Sequence, residues 1–477
     1  MTTWTSRPFA PSRSALSGGA IADALAADIA GGRLATGQQL PTHRDLAYRL
    51  HVTVGTVSRA YAEAVRRGLI GGEIGRGTYV RARIEPAAPG PALPANGEID
   101  FAINAVVTGG ESAALAEMLA ELGAEPSLAE LLGYLPHTGL PGHRAAIARL
   151  LRQLELEVAP ERIVLTAGAQ HAMLVALTAL THPGDTIACE QLTYAGFKSV
   201  ARLLHLRVKG IAMDARACGP MPSRRPAARP ICACSICARP CRTRPASPCR
   251  SSAARRSSAI AARHDVKLIE DDVYGFLSPG APPPLVSLAP ERVFYLNGTS
   301  KSLAPACASA SWWCRPTRSA EIANSVRTTV WMAPPLMAEM VRRWIESGLL
   351  MRFIDEKRRI GRDRQALARR ILGPTGTVIA PTHANALHLW AALPEPWTDE
   401  AFASEARRNG VQVTAGALFA VGRPPIEAIR IALGAPALDR VGRARPHHPG
   451  QPAARPRPRR WSRSCNAKDY RFAANSK

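Results

Sequence analysis

The chain has 477 residues, 46% of them hydrophobic, and a formal net charge of +24, which is enough for two or three domains around a large core. It has no basic N-terminus followed by an apolar h-region and no run of about 18 apolar residues, which argues against secretion and membrane spanning and for a cytoplasmic protein. The charge does not argue for a nucleic-acid surface over the whole chain: residues 215 to 257 hold ten arginines and no acid, residues 440 to 477 hold eleven Lys or Arg against Asp469, and together they supply +20 of the total.

Residues 14 to 80 predict three helices and a hairpin. "AIADALAADIAGG" puts Ile21, Leu25 and Ile29 on one helical face and ends at Gly31-Gly32. "THRDLAYRLHV" is a second, short helix with Thr42 as N-cap, and "VGTVSRAYAEAVRRGLI" a third with Val57, Tyr61 and Val65 inward. "GGEIGRGTYVRAR" reads as a hairpin with Gly75-Arg76-Gly77 at its tip. Two helices joined by a short turn and followed by a hairpin make a winged helix-turn-helix, whose second helix enters the major groove N-terminus first. Thr53, Thr56, Ser58 and Arg59 stand at the start of that helix, with Arg44 and Arg76 flanking it, and these groups suit phosphates and base edges. On pattern alone, a small structural helical domain with solvated arginines stays open.

The stretch "GQQLPTHRDLAYRLHVTVGTVSRAYAEAVRRGLIGGEIGRGTYV" resembles the GntR family of regulators over some 45 residues. The resemblance implies binding to a double-stranded DNA operator. Val54 and Gly55 depart from it, standing where many relatives carry an arginine. Residues 85 to 98, "EPAAPGPALPANGE", hold four prolines and no periodicity, so a fairly stiff linker is expected to join residues 1 to 84 to the large module beyond it.

From residue 99 strands alternate with helices, which predicts an α/β fold with a mostly parallel sheet covered on both faces. "RIVLTAG", "TIACE", "HDVKLIEDDVYGFL" and "RVFYLNGTSK" each run an apolar strand into polar residues. Ligands collect at the carboxyl ends of such strands, so Gly168, Tyr194, Asp271 and Lys301 are expected at one rim. A lysine in a partly dry pocket loses its proton easily and can join an aldehyde as a Schiff base. An aspartate can hold a pyridinium proton, a glycine at a helix N-terminus can admit a phosphate, and a tyrosine can cover a pyridine ring. Each residue alone is ordinary: lone lysines are mostly solvated, "EDD" after a strand is often a cap, and single tyrosines usually pack. Their order and spacing are what point to pyridoxal 5'-phosphate.

The set resembles the fold-type I aminotransferases and, with the winged helix in front, the MocR subgroup of GntR regulators, from the N-terminal module to about residue 436. By that resemblance "LTAGAQHAM" is a phosphate cup with Gly168, Ala169 and Gln170, and "EQLTYAGF" carries the ring-stacking Tyr194. "LIEDDVYGFL" supplies Asp271 for the pyridine nitrogen and Tyr274 for the cofactor's phenolic oxygen. "TSKSLAP" supplies Ser300 and Lys301, the latter for covalent attachment, and "EAIRIALG" supplies Arg430, a fork suited to a substrate carboxylate. The resemblance implies a homodimer and an amine or amino-acid effector for residues 99 to 438. A working aminotransferase with an accessory helical module is the alternative.

Two expected motifs are missing, both from regions of odd composition. A "QNPTG"-like segment belongs between Asp214 and Ala262, where the chain reads "CACSICARPCRTRPASPC"; an arginine belongs at Ala308. The cysteines could be read as a metal cluster, but no second knuckle stands across a gap, and no metal site is expected. Back-translated with suitable synonymous codons and read two bases later, Cys232 to Ala246 gives "RLLYLCPTLQNPTG" and Ala306 to Cys314 gives "LRLGVVVV". The inference is that stretches near 215 to 257 and 306 to 315 are frame-shifted, as is the basic low-complexity tail 439 to 477, so a third reading is the non-functional product of a damaged gene. As written, the chain is expected to lack a central strand and the phosphate arginine.

Overall fold

The computed structural model describes residues 17–30, 34, 38–67, 69–73, 77–80, 98–107, 109–211, 232–233, 251–304, 310–313, 319–380, 382–422, 424 and 426–435. The chain divides into two compact units, residues 1–92 and 93–477, and the division falls within the proline-rich stretch.

In the first unit α1 (Gly18–Ala30), α2 (His43–Leu50) and α3 (Val54–Arg66) precede an antiparallel hairpin of β1 (Ile70–Glu73) and β2 (Gly77–Val80). Thr42 and Thr53 cap α2 and α3: their hydroxyls accept from the backbone N–H of Asp45 and Thr56, at 3.2 and 3.1 Å. Between the two helices His51 takes the left-handed conformation, with φ of 53°. Ile21 and Leu25 are buried and Ile29 is half-buried, as the periodicity predicts. The inner face of α3 differs from expectation. Val57 and Tyr61 are buried, but Val65 is 46% exposed and Ala60 and Ala64 fill the stripe instead. Small residues win there because α3 packs closely on α1, and the Tyr61 hydroxyl reaches over to donate to the Pro41 carbonyl at 2.9 Å. Gly75 and Arg76 of the hairpin tip lie outside the described residues.

The second unit opens with β3 (Ile99–Asp100), α4 (Glu111–Gly123) and α5 (Pro141–Gln153). It continues through β4 (Ile163–Thr166), α6 (Ala169–Leu180), β5 (Thr186–Glu190), α7 (Ala195–Leu203), β6 (Arg207–Ile211), β7 (Cys232–Ala233) and α8 (Ser251–Arg263). Next come β8 (Leu268–Asp271), α9 (Leu285–Leu288), β9 (Val293–Gly298), β10 (Ala310–Trp313), α10 (Ser319–Val330), α11 (Pro335–Glu346) and α12 (Leu349–Leu372). The end is formed by β11 (His388–Ala392), α13 (Asp399–Arg408), β12 (Val411–Gln412), β13 (Thr414–Ala415) and β14 (Ala428–Ala432).

Four strands pair in the order β4-β10-β9-β8 and three in the order β6-β5-β7. β10 runs antiparallel to both β4 and β9, and β8 runs parallel to β9, so β4, β8 and β9 point the same way. Alternate residues of these strands enter different cores, which is why they read as continuous apolar runs. Ile163, Leu165, Leu268 and Val293 join Leu150, Trp344 and Ile354 on one face. Val164, Ile269, Phe294 and Leu296 join Met173, Phe197 and Ile322 on the other. The stretch expected to lack a strand contributes the two-residue β7, and among the described residues no ladder joins β7 to β8.

β11-β14-β13 form a separate sheet beside a β3-β12 pair. It is stitched to the segment that follows β5 by an antiparallel strip. Thr193 donates its N–H to the Phe419 carbonyl at 2.7 Å and Val421 donates to the Gln191 carbonyl at 2.7 Å. Lys198 of α7 adds donations to the carbonyls of Leu418 and Ala420 at 2.9 and 2.8 Å. A buried ion pair, Lys357 of α12 with Glu111 of α4, ties two helices on the other side.

Candidate functional site

Because β4, β8 and β9 share a direction, the residues after them reach one rim: Gly168 after β4, Asp271 at the end of β8, and Lys301 in the turn after β9. Lys301 is half-buried, and its Nζ donates to the Asn104 carbonyl at 2.6 Å while standing 5.9 Å from the centre of the Tyr274 ring. Burial, then the positive charge of Arg430, pushes its amine down to about 8 against the opposing pull of Asp271. Tyr274 is buried and its hydroxyl accepts from the Asn104 side-chain amide at 2.6 Å. Its ring meets His388 edge-on at 5.9 Å.

The "EDD" triplet divides its labour. Glu270 is buried, and its carboxylate accepts from the N–H groups of Leu285 and Val286 at 2.9 and 3.1 Å, capping α9. Asp272 is buried and accepts from the Tyr295 hydroxyl at 2.7 Å. Asp271 alone of the three faces the lysine side: its charge acts on both Lys301 and Tyr194. The N–H of Val273 approaches its carboxylate at 3.4 Å.

Tyr194 precedes α7 and is 40% exposed. Burial of its hydroxyl and the negative charge of Asp271 push its phenol up, against Arg430. A Cβ on Gly196 would stand 2.4 Å from this ring and 2.3 Å from the Gln170 side-chain oxygen, so only glycine admits both. Gln170 donates its side-chain N–H to the Gly196 carbonyl at 3.1 Å. Gly168, with φ of +88°, begins α6 without a side-chain cap, a backbone shape that strains other residues. Ala169 is the first residue of that helix, and His171 steadies its start by accepting from the Ala167 N–H at 3.0 Å and hydrogen-bonding Thr329 at 2.7 Å. Ser300 sits half-buried between β9 and Lys301.

Arg430 of β14 is 8% exposed. Its guanidinium donates to the Ala102 carbonyl and, at 3.0 Å, to the Thr414 hydroxyl, lies 5.1 Å from the Phe419 ring centre, and keeps a buried Nε with no partner. Burial pulls its pKa down. Asn104, Thr414 and Phe419 were not singled out by the sequence. They belong to no motif, and only their closeness to Tyr274 and Arg430 marks them.

In the first unit Thr53 and Thr56 bond through their hydroxyls at 2.9 Å, Ser58 lies 3.4 Å from His43 Nδ1, and Arg44 and Arg59 are both exposed. Arg76 and Ala308 lie outside the described residues, as do all the cysteines of the 215 to 257 stretch except Cys232, described only as backbone. Among the described residues no three His, Cys, Asp or Glu gather as a metal site, and no helix is long and apolar enough to cross a membrane.

Residues 18–80 match the family described as bacterial regulatory proteins, gntR family, and residues 97–217 match aminotransferase class I and II. The second match stops where the arginine-rich stretch begins. Relatives over most of the length include the HTH-type transcriptional regulator YdeF of Bacillus subtilis, 28% identical across 87% of this chain and 90% of its own. The HTH-type pyridoxine biosynthesis transcriptional regulator PdxR of Corynebacterium glutamicum is 26% identical across 72% and 76%. Among solved structures, an archaeal alanine:glyoxylate aminotransferase superposes with a TM-score of 0.65 at 20% identity, covering 72% of this chain and 88% of its own. The kynurenine aminotransferase of Pyrococcus horikoshii gives 0.65 at 18%, covering 72% and 88%. The chain thus carries a GntR-type helix-turn-helix domain followed by an aminotransferase class I and II domain, and its relatives over most of its length are HTH-type transcriptional regulators, an arrangement consistent with a MocR-type GntR regulator.

Proposed function

We propose that the protein is a DNA-binding transcriptional regulator that holds pyridoxal 5'-phosphate in its aminotransferase-like unit and senses a small amine or amino acid there. The observation that carries this is a half-buried lysine with a depressed pKa, beside a tyrosine and under the influence of an aspartate, in the same chain as a winged helix-turn-helix. The residues fit the cofactor's chemistry. Lys301 offers an amine that is half neutral near pH 8, Asp271 a carboxylate for a protonated ring nitrogen, and Tyr274 a phenol beside it. Tyr194 offers an aromatic face, and Gly168, Ala169 and Gln170 an uncapped helix start for phosphate. The bound cofactor would supply an electrophilic aldehyde and an electron-withdrawing ring.

In this reading Lys301 is the residue that would hold the cofactor. Arg430, with its unpartnered Nε in a dry setting, orients the effector's carboxylate. Regulation then requires that the effector bind two conformations unequally and so alter operator affinity. Homodimerisation and a cytoplasmic setting belong to the same proposal. Borohydride reduction after incubation with pyridoxal phosphate, followed by peptide mass analysis, tests it: the cofactor mass should reside on the Lys301 peptide. Modification spread over surface lysines would remove the reading.

A second reading, that the gene is damaged, draws on the position where the aminotransferase match ends, residue 217, at the onset of the Cys/Arg/Pro-rich stretch. Loss of a buried strand costs more than the roughly 5 to 15 kcal/mol that stabilise a domain, so it would cancel cofactor binding while sparing the first unit. The coding DNA decides: codons that give "QNPTG" two bases later support the frame-shift, and unrelated codons remove it.

A further inference from the structure

The leading turn of α3 carries a chemical oddity. Its first residues, Thr53, Val54 and Gly55, are all exposed, yet none bears a guanidinium, amine, amide or carboxylate. The Thr53 hydroxyl is committed, since it accepts from the Thr56 N–H and bonds the Thr56 hydroxyl at 2.9 Å. Val54 is 45% exposed, although valine is a residue type that proteins prefer to cover. A side chain at Gly55 would meet nothing closer than the Thr53 hydroxyl at 3.8 Å, so the surface beside Val54 is open. The first cationic side chain of the helix, Arg59, comes more than a turn later. In this motif that leading turn enters the major groove first, where the apolar group on a base edge is the thymine C5-methyl.

We propose that Val54 is a specificity-determining residue that reads a thymine methyl in each half-site. The inference rests on the DNA-binding reading of the first unit and deepens it by naming the base feature selected. Open space at Gly55 lets the groove edge approach, and the Thr53 hydroxyl, committed to Thr56, does not compete for that edge. Hydrogen-bonded readout at this position is absent from the mechanism, so thymine should be favoured over cytosine through its methyl alone.

The test uses the full-length chain. Duplexes are selected from a randomised library, and each conserved thymine of the recovered site is replaced singly by deoxyuridine, which deletes only the methyl. At one thymine per half-site affinity should fall about fourfold, the factor that burial of one methyl-sized group supplies. Val54→Ala, a change at an exposed helix start that also favours helix, should bring the thymine-to-uracil ratio close to one. A cytosine placed there should regain most of the lost affinity when 5-methylated. Selected sites that tolerate uracil at every position overturn the inference while leaving DNA binding intact, as does a ratio unchanged in Val54→Ala. Failure to retain any duplex overturns the DNA-binding reading and this inference with it.

Discussion

The two units hold their candidate functional groups in opposite ways. In the first, the polar residues are set by neighbours three positions away: Thr42 with Asp45, Thr53 with Thr56. In the second, the contacts that draw the lysine, the tyrosine and the arginine together span a large part of the chain. Asn104 reaches Tyr274 across 170 residues and Lys301 across 197, and Arg430 reaches Ala102 across 328. A site made of local contacts survives wherever its helix folds. A site made of distant ones exists only when every intervening strand is in register, so the second unit is far more exposed to a sequence defect than the first.

The sharpest way to break this contrast is Lys301→Ala. It should abolish covalent retention of pyridoxal phosphate completely while operator affinity, measured with no effector present, stays within about twofold. Loss of both together would show that the units do not act separately.

Next is the buried pair of Lys357 and Glu111. Burial, the largest influence, would raise the Glu111 carboxyl, but the hydrogen bond from Lys357, the backbone N–H groups of Gly109 and Glu111 and the lysine's charge together outweigh it and hold it below its ordinary value. Lys357→Met strands that carboxylate and should destabilise the second unit by about 3–5 kcal/mol, read as an earlier denaturant transition. Lys357→Met with Glu111→Leu should recover most of the loss. An unchanged melting of the first unit completes the comparison.

A smaller effect concerns pH. Because Lys301 is pushed down to about 8 from the usual 10.5, the fold binds fewer protons than the unfolded chain between those values. Stability from this group is therefore lacking below about pH 8 and grows as pH rises toward 10.5. Lys301→Met should flatten that rise; an identical slope in both proteins would contradict the burial of the amine. Smallest of all, Thr53→Ala should cost the first unit about 1 kcal/mol through loss of the cap and leave the unfolding of the second unit where it was.

The same contrast explains what was legible in the sequence. The winged helix could be read almost whole, because caps and stripes are short-range; the error at Val65 arose because periodicity shows which face is inward but not where a close helix crossing demands alanine. The rim residues Gly168, Asp271 and Lys301 were legible through strand-to-turn patterns. Asn104 was not, since a lone asparagine before a helix has no signature until the fold brings it to Tyr274 and Lys301. Nor did the triplet reveal which carboxylate turns to the pocket; the backbone N–H groups of Leu285 and Val286 claim Glu270, and the Tyr295 hydroxyl claims Asp272.

The strip joining residues 191–193 to 419–421 has a mechanical meaning. It hard-wires the segment just before Tyr194 to the ring that supports Arg430, with Lys198 as a rivet through two further carbonyls. In the proposed reading, an acid held by the guanidinium and a ring covered by Tyr194 would thus share one rigid support, and Lys198→Met should loosen that support while leaving the Arg430 guanidinium in place.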